Sequence, residues 1–228
     1  MDRRQVGRGG RWVSGFSGIG FAVALLAALI LAFPPDARGA NGASQLAQYY
    51  ADRGNQAHLE LAIVLSALAG FFFLWFLGRL VSALSTGTGH DTSLVWVAFA
   101  GGLFFAILLV SGLALSTVVG ITLTESSSFK LDPSTGILVN TLGYEMAAVS
   151  MFGAAALLVA TAVAGRRGGV LPRWLAFSSY VLGGLSLLSG VFVYPFLLLF
   201  VVWVVVVGVR LTPVIGVLES ASAARMPA

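Results

Sequence analysis

Residues 145–167 read "EMAAVSMFGAAALLVATAVAGRR", an apolar run that lies between a glutamate and two arginines. A run of about 20 apolar residues is long enough for a helix to cross the hydrocarbon layer of a bilayer. Alanine, leucine and valine dominate the run, and it lacks the alternation of polar and apolar positions that a strand of a membrane barrel requires. The stretch therefore predicts a transmembrane helix with a cationic end at Arg166 and Arg167.

The composition of the whole chain points to the same class of protein. Of its 228 residues, 58% are hydrophobic and 10% are charged, and the mean hydropathy is +0.94. A soluble domain would have about 25% charged residues. We therefore predict an all-α, polytopic transmembrane helical bundle whose main partner is the lipid bilayer.

Six apolar stretches are long enough to span a membrane, and we predict one transmembrane domain over residues 13–211. The predicted spans are 13–33, 60–83, 94–117, 137–164, 173–192 and 194–211. The last two predict a tight helical hairpin whose second arm starts at Pro195. Residues 1–12 form a basic N-terminal segment and residues 212–228 a C-terminal tail.

The positions of the basic residues predict the orientation, because cytoplasmic loops of membrane proteins are enriched in Lys and Arg. With the N-terminus inside, ten basic residues fall on the cytoplasmic side and three on the outer side. The ten are Arg3, Arg4, Arg8, Arg11, Arg79, Arg166, Arg167, Arg173, Arg210 and Arg225, and the three are Arg38, Arg53 and Lys130. We expect both termini to lie in the cytoplasm of a bacterium, with the chain in its plasma (inner) membrane. The first span is longer than a signal-peptide core, so we expect it to be retained.

Several classes of function are excluded by composition. The net charge of +4 does not indicate nucleic-acid binding, because the basic residues are dispersed at helix ends. The chain has no cysteine, which excludes disulfides, iron–sulfur clusters and thiolate zinc sites. His58 and Glu60 are two residues apart and point about 200° away from each other on a helix, so they cannot share a metal ion. We expect no metal and no cofactor.

Two predicted outer loops, 34–57 and 118–136, are long enough to contain structure. In the first, Leu46, Tyr49 and Tyr50 share one helical face, which predicts a short helix on the outer membrane surface with its tyrosines at headgroup depth. In the second, the pair Asp132–Pro133 (132–133) predicts a turn, with Ser134 or Thr135 as the cap of the following helix.

A candidate polar cluster follows from the lengths of two spans. About 20 residues counted outward from Arg166, and again from Arg79, end near Glu145 and Glu60, at the outer boundary of the membrane. The cluster predicted there consists of His58, Glu60, Tyr144, Glu145 and Tyr194. It is either a site open to the outside, where a carboxylate holds a cation or relays a proton, or the usual enrichment of such residues at an interface.

Small residues within the spans predict close helix packing. Gly101 and Gly102 lie in the third predicted span and Gly153 in the fourth. Glycines at such positions let two helix backbones approach each other closely inside a membrane. We therefore expect a compact bundle with its tightest seams at these positions.

Three hypotheses for the function remain. The chain is a non-enzymatic binding, accessory or transport-related bundle that contacts a membrane protein partner or another copy of itself; an intramembrane enzyme using Glu145 or Glu60; or a purely structural subunit. The first and third are favoured over the second, because catalysis usually requires several polar groups that converge in a cleft. Active transport is less expected, because few ionisable residues lie near the predicted midplane. We assign no catalytic residue.

Three segments resemble a known group of proteins: "YYADRGNQAHLE" at 49–60, "FLWFLGRL" at 73–80 and "GVLPRWLAF" at 169–177. In their order they resemble small six-helix integral membrane proteins of high-GC Gram-positive bacteria, which are grouped as a domain of unknown function. The resemblance extends over about residues 13–211. It implies a helical membrane bundle and supplies no established activity, substrate or catalytic residue.

Overall fold

The computed structural model describes residues 6–32, 42–88, 92–125, 132–188 and 193–223, and nearly all of them are helical. The helices are α1 (Val6–Leu31), α2 (Gly42–Ala51), α3 (Arg53–Thr88), α4 (Ser93–Glu125), α5 (Pro133–Arg167), α6 (Arg173–Ser186) and α7 (Val193–Ala223). The described residues contain no strand. The predicted all-α class is therefore confirmed.

Four of these helices, α3, α4, α5 and α7, are long and apolar enough to cross a membrane. They coincide with the predicted spans at 60–83, 94–117, 137–164 and 194–211. Helix α1 contributes the shorter apolar segment Phe16–Leu31, and α6 has only 14 residues. The chain is thus a helical protein with several candidate membrane spans.

Helices α3, α4 and α5 extend well beyond the apolar runs that predicted them. They contain 36, 33 and 35 residues, which corresponds to about 50 Å each. The predicted outer loop 118–136 is therefore shorter than expected, because α4 continues to Glu125 and α5 already begins at Pro133. The predicted tail 212–228 likewise begins as helix, since α7 runs to Ala223. Apolar length predicts how much helix a bilayer covers, but it does not predict where the helix stops.

The N-terminus of α5 differs from the prediction in its capping residue. Asp132, and not Ser134 or Thr135, is the N-cap, and its carboxylate accepts a hydrogen bond from the backbone N–H of Thr135 at 3.3 Å. Pro133 fits the first helical position because it has no N–H to satisfy, so the cap falls on the residue before it. Hydrogen bonds from the Ser134 hydroxyl and the Thr135 backbone hold the pKa of Asp132 below its usual range.

The tightest contact in the bundle is the seam between α4 and α5, where glycines face each other. A methyl group added at Gly101 would lie 2.8 Å from the carbonyl oxygen of Gly153, and one at Gly112 would lie 2.7 Å from that of Gly143. Such distances are below van der Waals contact, so only glycine fits. The predicted seam at Gly101 and Gly153 is confirmed, and Gly102 packs against the side chain of Leu77 on α3.

Aromatic side chains fill the centre of the bundle where α1, α3, α4 and α7 meet. Phe105 on α4 contacts three of them, with ring centroids 6.5 Å from Phe21, 5.2 Å from Phe73 and 4.6 Å from Phe200. All four rings are almost completely buried. Tilted arrangements at these distances are the favoured geometry for aromatic pairs, so the cluster fixes the relative height of four helices.

Helices α6 and α7, which the sequence predicted as the arms of a tight hairpin, pack mainly against other helices, and α7 begins at Val193 instead of Pro195. Helix α6 packs chiefly against α5 and α7 chiefly against α1. They are joined by a buried hydrogen bond of 2.7 Å from the indole Nε1 of Trp203 to the hydroxyl of Ser179. The turn before α6 contains Gly169 at a φ of 69°, a conformation that glycine adopts without strain, and this turn directs α6 back along α5.

The bundle has two chemically different ends. The α2 end contains α2 together with the N-termini of α3 and α5. The arginine end contains, among the described side chains, Arg79, Arg166, Arg167, Arg173 and Arg210. The described acidic side chains Asp52, Glu60, Asp132 and Glu145 all lie toward the α2 end.

Candidate functional site at the α2 end

Helix α2 is held against the bundle by two adjacent tyrosines. The ring of Tyr50 is fully buried in an apolar cluster with Leu59 and Val119. Its hydroxyl donates a hydrogen bond of 3.1 Å to the backbone carbonyl of Ser116 on α4. The sequence predicted this tyrosine on a surface helix at headgroup depth; its ring packs inside the protein, and the carbonyl of Ser116 satisfies its hydroxyl. The side chain of Leu46 lies outside the described residues.

The junction between α2 and α3 is fixed by side chains that satisfy the ends of both helices. Asp52 accepts hydrogen bonds from the backbone N–H groups of Gly54, at 2.7 Å, and Asn55, at 3.4 Å. The amides of Asn55 and Gln56 donate to the backbone carbonyls of Tyr49 and Tyr50 at 3.1 Å and 2.9 Å. Because these groups satisfy donors and acceptors that helix ends leave open, the α2–α3 elbow is rigid.

The pKa of Tyr50 provides a test of the buried position of its ring. Burial, and secondarily the neighbouring Tyr49, raises the pKa of Tyr50 to about 12, whereas an unfolded tyrosine ionises near pH 10. Between about pH 10 and pH 12 the unfolded chain releases a proton that the folded chain retains, so stability falls as the pH rises through this window. We expect an ultraviolet titration of the intact protein to show a tyrosine ionising near pH 12 that is missing from Tyr50→Phe. Identical titration curves for the two proteins would contradict the buried position.

His58 and Glu60 both lie exposed on α3, on either side of the buried Leu59. Leu59 contacts the backbone of α4 at Gly120, which sets the height of this turn of α3 near the extreme α2 end. Among the described residues no three side chains of the His, Cys, Asp and Glu types lie together. His90 lies outside the described residues.

Tyr144 and Tyr194 are the two members of the predicted cluster that come together. Their ring centroids are 6.0 Å apart at an angle of 58°, which joins α5 to the first turn of α7. Glu145 is exposed and follows Tyr144 directly, so it points about 100° further round the helix. The aromatic pair and the carboxylate therefore occupy different faces of α5.

The two predicted carboxylates do not converge. Gly143, beside Glu145, lies against Gly112 on α4, whereas Leu59, beside Glu60, lies against Gly120. Eight residues of α4 separate those two glycines, which places Glu60 roughly 12 Å closer to the α2 end than Glu145. The five predicted residues thus form three separate features: an exposed turn of α3, a tyrosine pair, and a lone carboxylate on α5.

Glu145 belongs to a surface that the sequence analysis missed, which we call the α5 stripe: Leu138, Leu142, Glu145, Val149 and Phe152. All five are exposed, and Leu138 and Leu142 are 67% and 50% accessible. Their spacing alternates between four and three residues, which aligns them along one face of a helix. The signal was present in the sequence, but α5 is apolar on nearly every side, so no contrast marked this face.

Helix α6 leaves the α5 stripe uncovered because it is short. A methyl group at Gly183 would lie 2.9 Å from the side chain of Val159, and the helix ends one turn later at Ser186. The stripe lies on α5 beyond this level, toward the α2 end. Exposed apolar side chains also occur at comparable heights on other helices, at Leu61 on α3 and Val118 on α4.

No family model, curated protein or solved structure matches this chain.

Proposed function

We propose that the chain is a non-enzymatic, multi-pass subunit of a bacterial plasma membrane that binds a partner membrane protein through the α5 stripe. The observation behind this proposal is the exposed carboxylate of Glu145 in the middle of an exposed apolar helix face. An apolar face alone suits lipid, whereas a face with a carboxylate at its centre suits a protein that supplies a donor or a cation.

Six membrane crossings with both termini in the cytoplasm are part of the proposal. Four helices meet the length and hydropathy expected of a span. The 14 residues of α6 form a helix about 21 Å long, and the apolar part of α1 is slightly longer. Each of them covers most of a hydrocarbon layer of about 30 Å. The gathering of arginines at one end of the described bundle supports a cytoplasmic assignment for that end.

The depth of Glu145 supports a binding role. Leu142 and Leu138 are exposed on the same face of α5 and continue up to about 10 Å beyond the carboxylate. A tilt of α5 that brings these leucines into the bilayer also brings Glu145 into it, below the outer boundary predicted from Arg166. A charged group that faces acyl chains is costly, and ionisable residues in spans usually face protein or water. A docked helix removes this cost.

The enzymatic alternative has less support. Glu60 and Glu145 are separated along the bundle, and His58 and Glu60 lie exposed beyond the tyrosine pair. No described cleft brings an acid, a base and a polar donor to one point, which is what intramembrane catalysis requires. A purely structural subunit would share the fold but would not require a carboxylate on the α5 stripe.

A photo-crosslinking residue in place of Leu142 tests the binding role in native membranes. We expect a discrete protein adduct that Glu145→Lys reduces about tenfold, since reversing one charge at a docked helix costs at least about 1.4 kcal/mol. Glu60→Lys, which makes the same charge change away from the stripe, leaves the adduct intact. The same crosslinker at Ile107, an exposed position on α4, gives no discrete protein adduct. Lipid adducts alone at Leu142, or an adduct insensitive to Glu145→Lys, would rule out the proposed docking.

A further inference from the structure

At the arginine end, an exposed indole lies next to the guanidinium group of Arg210. The guanidinium carbon of Arg210, near the end of the apolar part of α7, lies 5.9 Å from the centre of the Trp174 ring. Arg173 precedes Trp174 at the start of α6, so the second cation is adjacent along the chain. Trp174 is 53% accessible, and both arginines are exposed. We use the name Trp174 site for these three exposed side chains, Trp174, Arg210 and Arg173.

The charge around the Trp174 site is positive throughout the described side chains of this end. Arg166 and Arg167 close α5 within one short turn of Arg173. The described acidic side chains belong to the other end of the bundle. The exposed guanidinium groups of Arg173 and Arg210 favour an anion, and Arg binds phosphate with two parallel hydrogen bonds.

An apolar track leads from the Trp174 site toward the middle of the bundle. Trp174, Phe177 and Val181 are exposed at a spacing of three and four residues along α6, and Phe177 is 70% accessible. These side chains lie on the face of α6 opposite the buried residues Leu175, Ser179 and Leu182, so another molecule has access to them. A molecule that fits this surface has an anionic head at the arginines and a long apolar chain along α6.

We infer that the Trp174 site binds an anionic phospholipid, with its phosphate between Arg173 and Arg210 and an acyl chain along Phe177 and Val181. Basic sites between helices at the cytoplasmic face of membrane proteins recognise such headgroups by charge. Tryptophan suits the headgroup depth, because its ring is apolar and its N–H is polar. Phosphatidylcholine is expected to bind less well, because its ammonium group cancels the charge of its phosphate. The site does not depend on the α5 stripe.

The test compares retention of phosphatidylglycerol and phosphatidylcholine by the full-length protein in detergent micelles, measured by native mass spectrometry. We expect the intact protein to prefer phosphatidylglycerol, and Arg210→Gln or Arg173→Gln to reduce that preference about tenfold. Arg53→Gln removes the same charge at the α2 end and is expected to leave the preference unchanged. Excess inorganic phosphate is expected to leave the lipid bound, because it offers no acyl chain.

Trp174→Leu keeps the test decisive if an arginine variant fails to fold. It leaves every charge in place and is expected to weaken retention of phosphatidylglycerol through loss of the indole that stacks on Arg210. The site is overturned if phosphatidylcholine is retained equally well, if Arg53→Gln has the same effect as Arg210→Gln, or if inorganic phosphate alone displaces the lipid.

Discussion

Gly153→Ala is expected to destabilise the protein by about 2 kcal/mol or more, since overpacking of a well-packed contact costs 1–3 kcal/mol and occasionally more. The added methyl group would lie 2.6 Å from the carbonyl oxygen of Gly101 and 2.7 Å from the backbone nitrogen of Phe105. Both atoms belong to the backbone of α4, so no side-chain rotation relieves the collision and the two helices must separate. The measurement is the free energy of unfolding in mild detergent.

Gly78→Ala is the matched control for this prediction. A methyl group at Gly78 meets no atom within 4 Å, and the residue is exposed on α3. Alanine is favoured over glycine in a helix by about 1 kcal/mol, so this variant is expected to be slightly more stable than the parent. If Gly153→Ala raised the free energy of unfolding as much as Gly78→Ala does, α4 and α5 would not be in backbone contact at Gly153.

Phe105→Ala is expected to cost about 3 kcal/mol, the lower end of the range measured for buried phenylalanines. The ring is fully buried and contacts Phe21, Phe73 and Phe200, so its removal leaves a cavity between four helices. In a membrane the loss comes from packing and not from exposure to water, because lipid is as apolar as the ring.

Phe104→Ala separates burial from residue type, because Phe104 is the next residue and is 46% accessible. It is expected to cost clearly less than Phe105→Ala, since nearly half of its surface faces outward, where contacts with lipid are replaced by other contacts with lipid. Thermal denaturation of both variants in the same detergent gives the comparison. A cost for Phe104→Ala as large as that for Phe105→Ala would place the centre of the bundle elsewhere.

The apolar runs predicted the position and the type of the long helices well, because hydrophobic length is a property of consecutive residues. The outer ends of these helices, residues 53–57 of α3 and 118–125 of α4, fall within loops that the sequence predicted. Their helical state depends on packing and on hydrogen bonds to other elements, such as the one from Gln56 to Tyr50. These contacts join residues of different elements, so the apolar pattern does not reveal them.

The candidate site could be predicted only as a set of residue types near one boundary. Whether Glu60 and Glu145 meet depends on the relative height of α3 and α5, which is fixed by Leu59 against Gly120 and by Gly112 against Gly143. If α3 were displaced along α5 by two helical turns, both amino-acid sequences would be the same, so the sequence does not reveal whether the two carboxylates meet. The pairing of Tyr144 with Tyr194 depends in the same way on where α7 begins.

The glycine contacts between α4 and α5 also determine which parts of the protein can move. Two backbones that touch at Gly101 and Gly153, and again at Gly112 and Gly143, cannot rotate or slide past each other without collision, so the pair behaves as a single rigid shaft. Rearrangements in response to a bound molecule are therefore confined to the helices around the shaft. Helix α7 meets the shaft through few contacts, so it is freer to move than α6, which packs closely against α5.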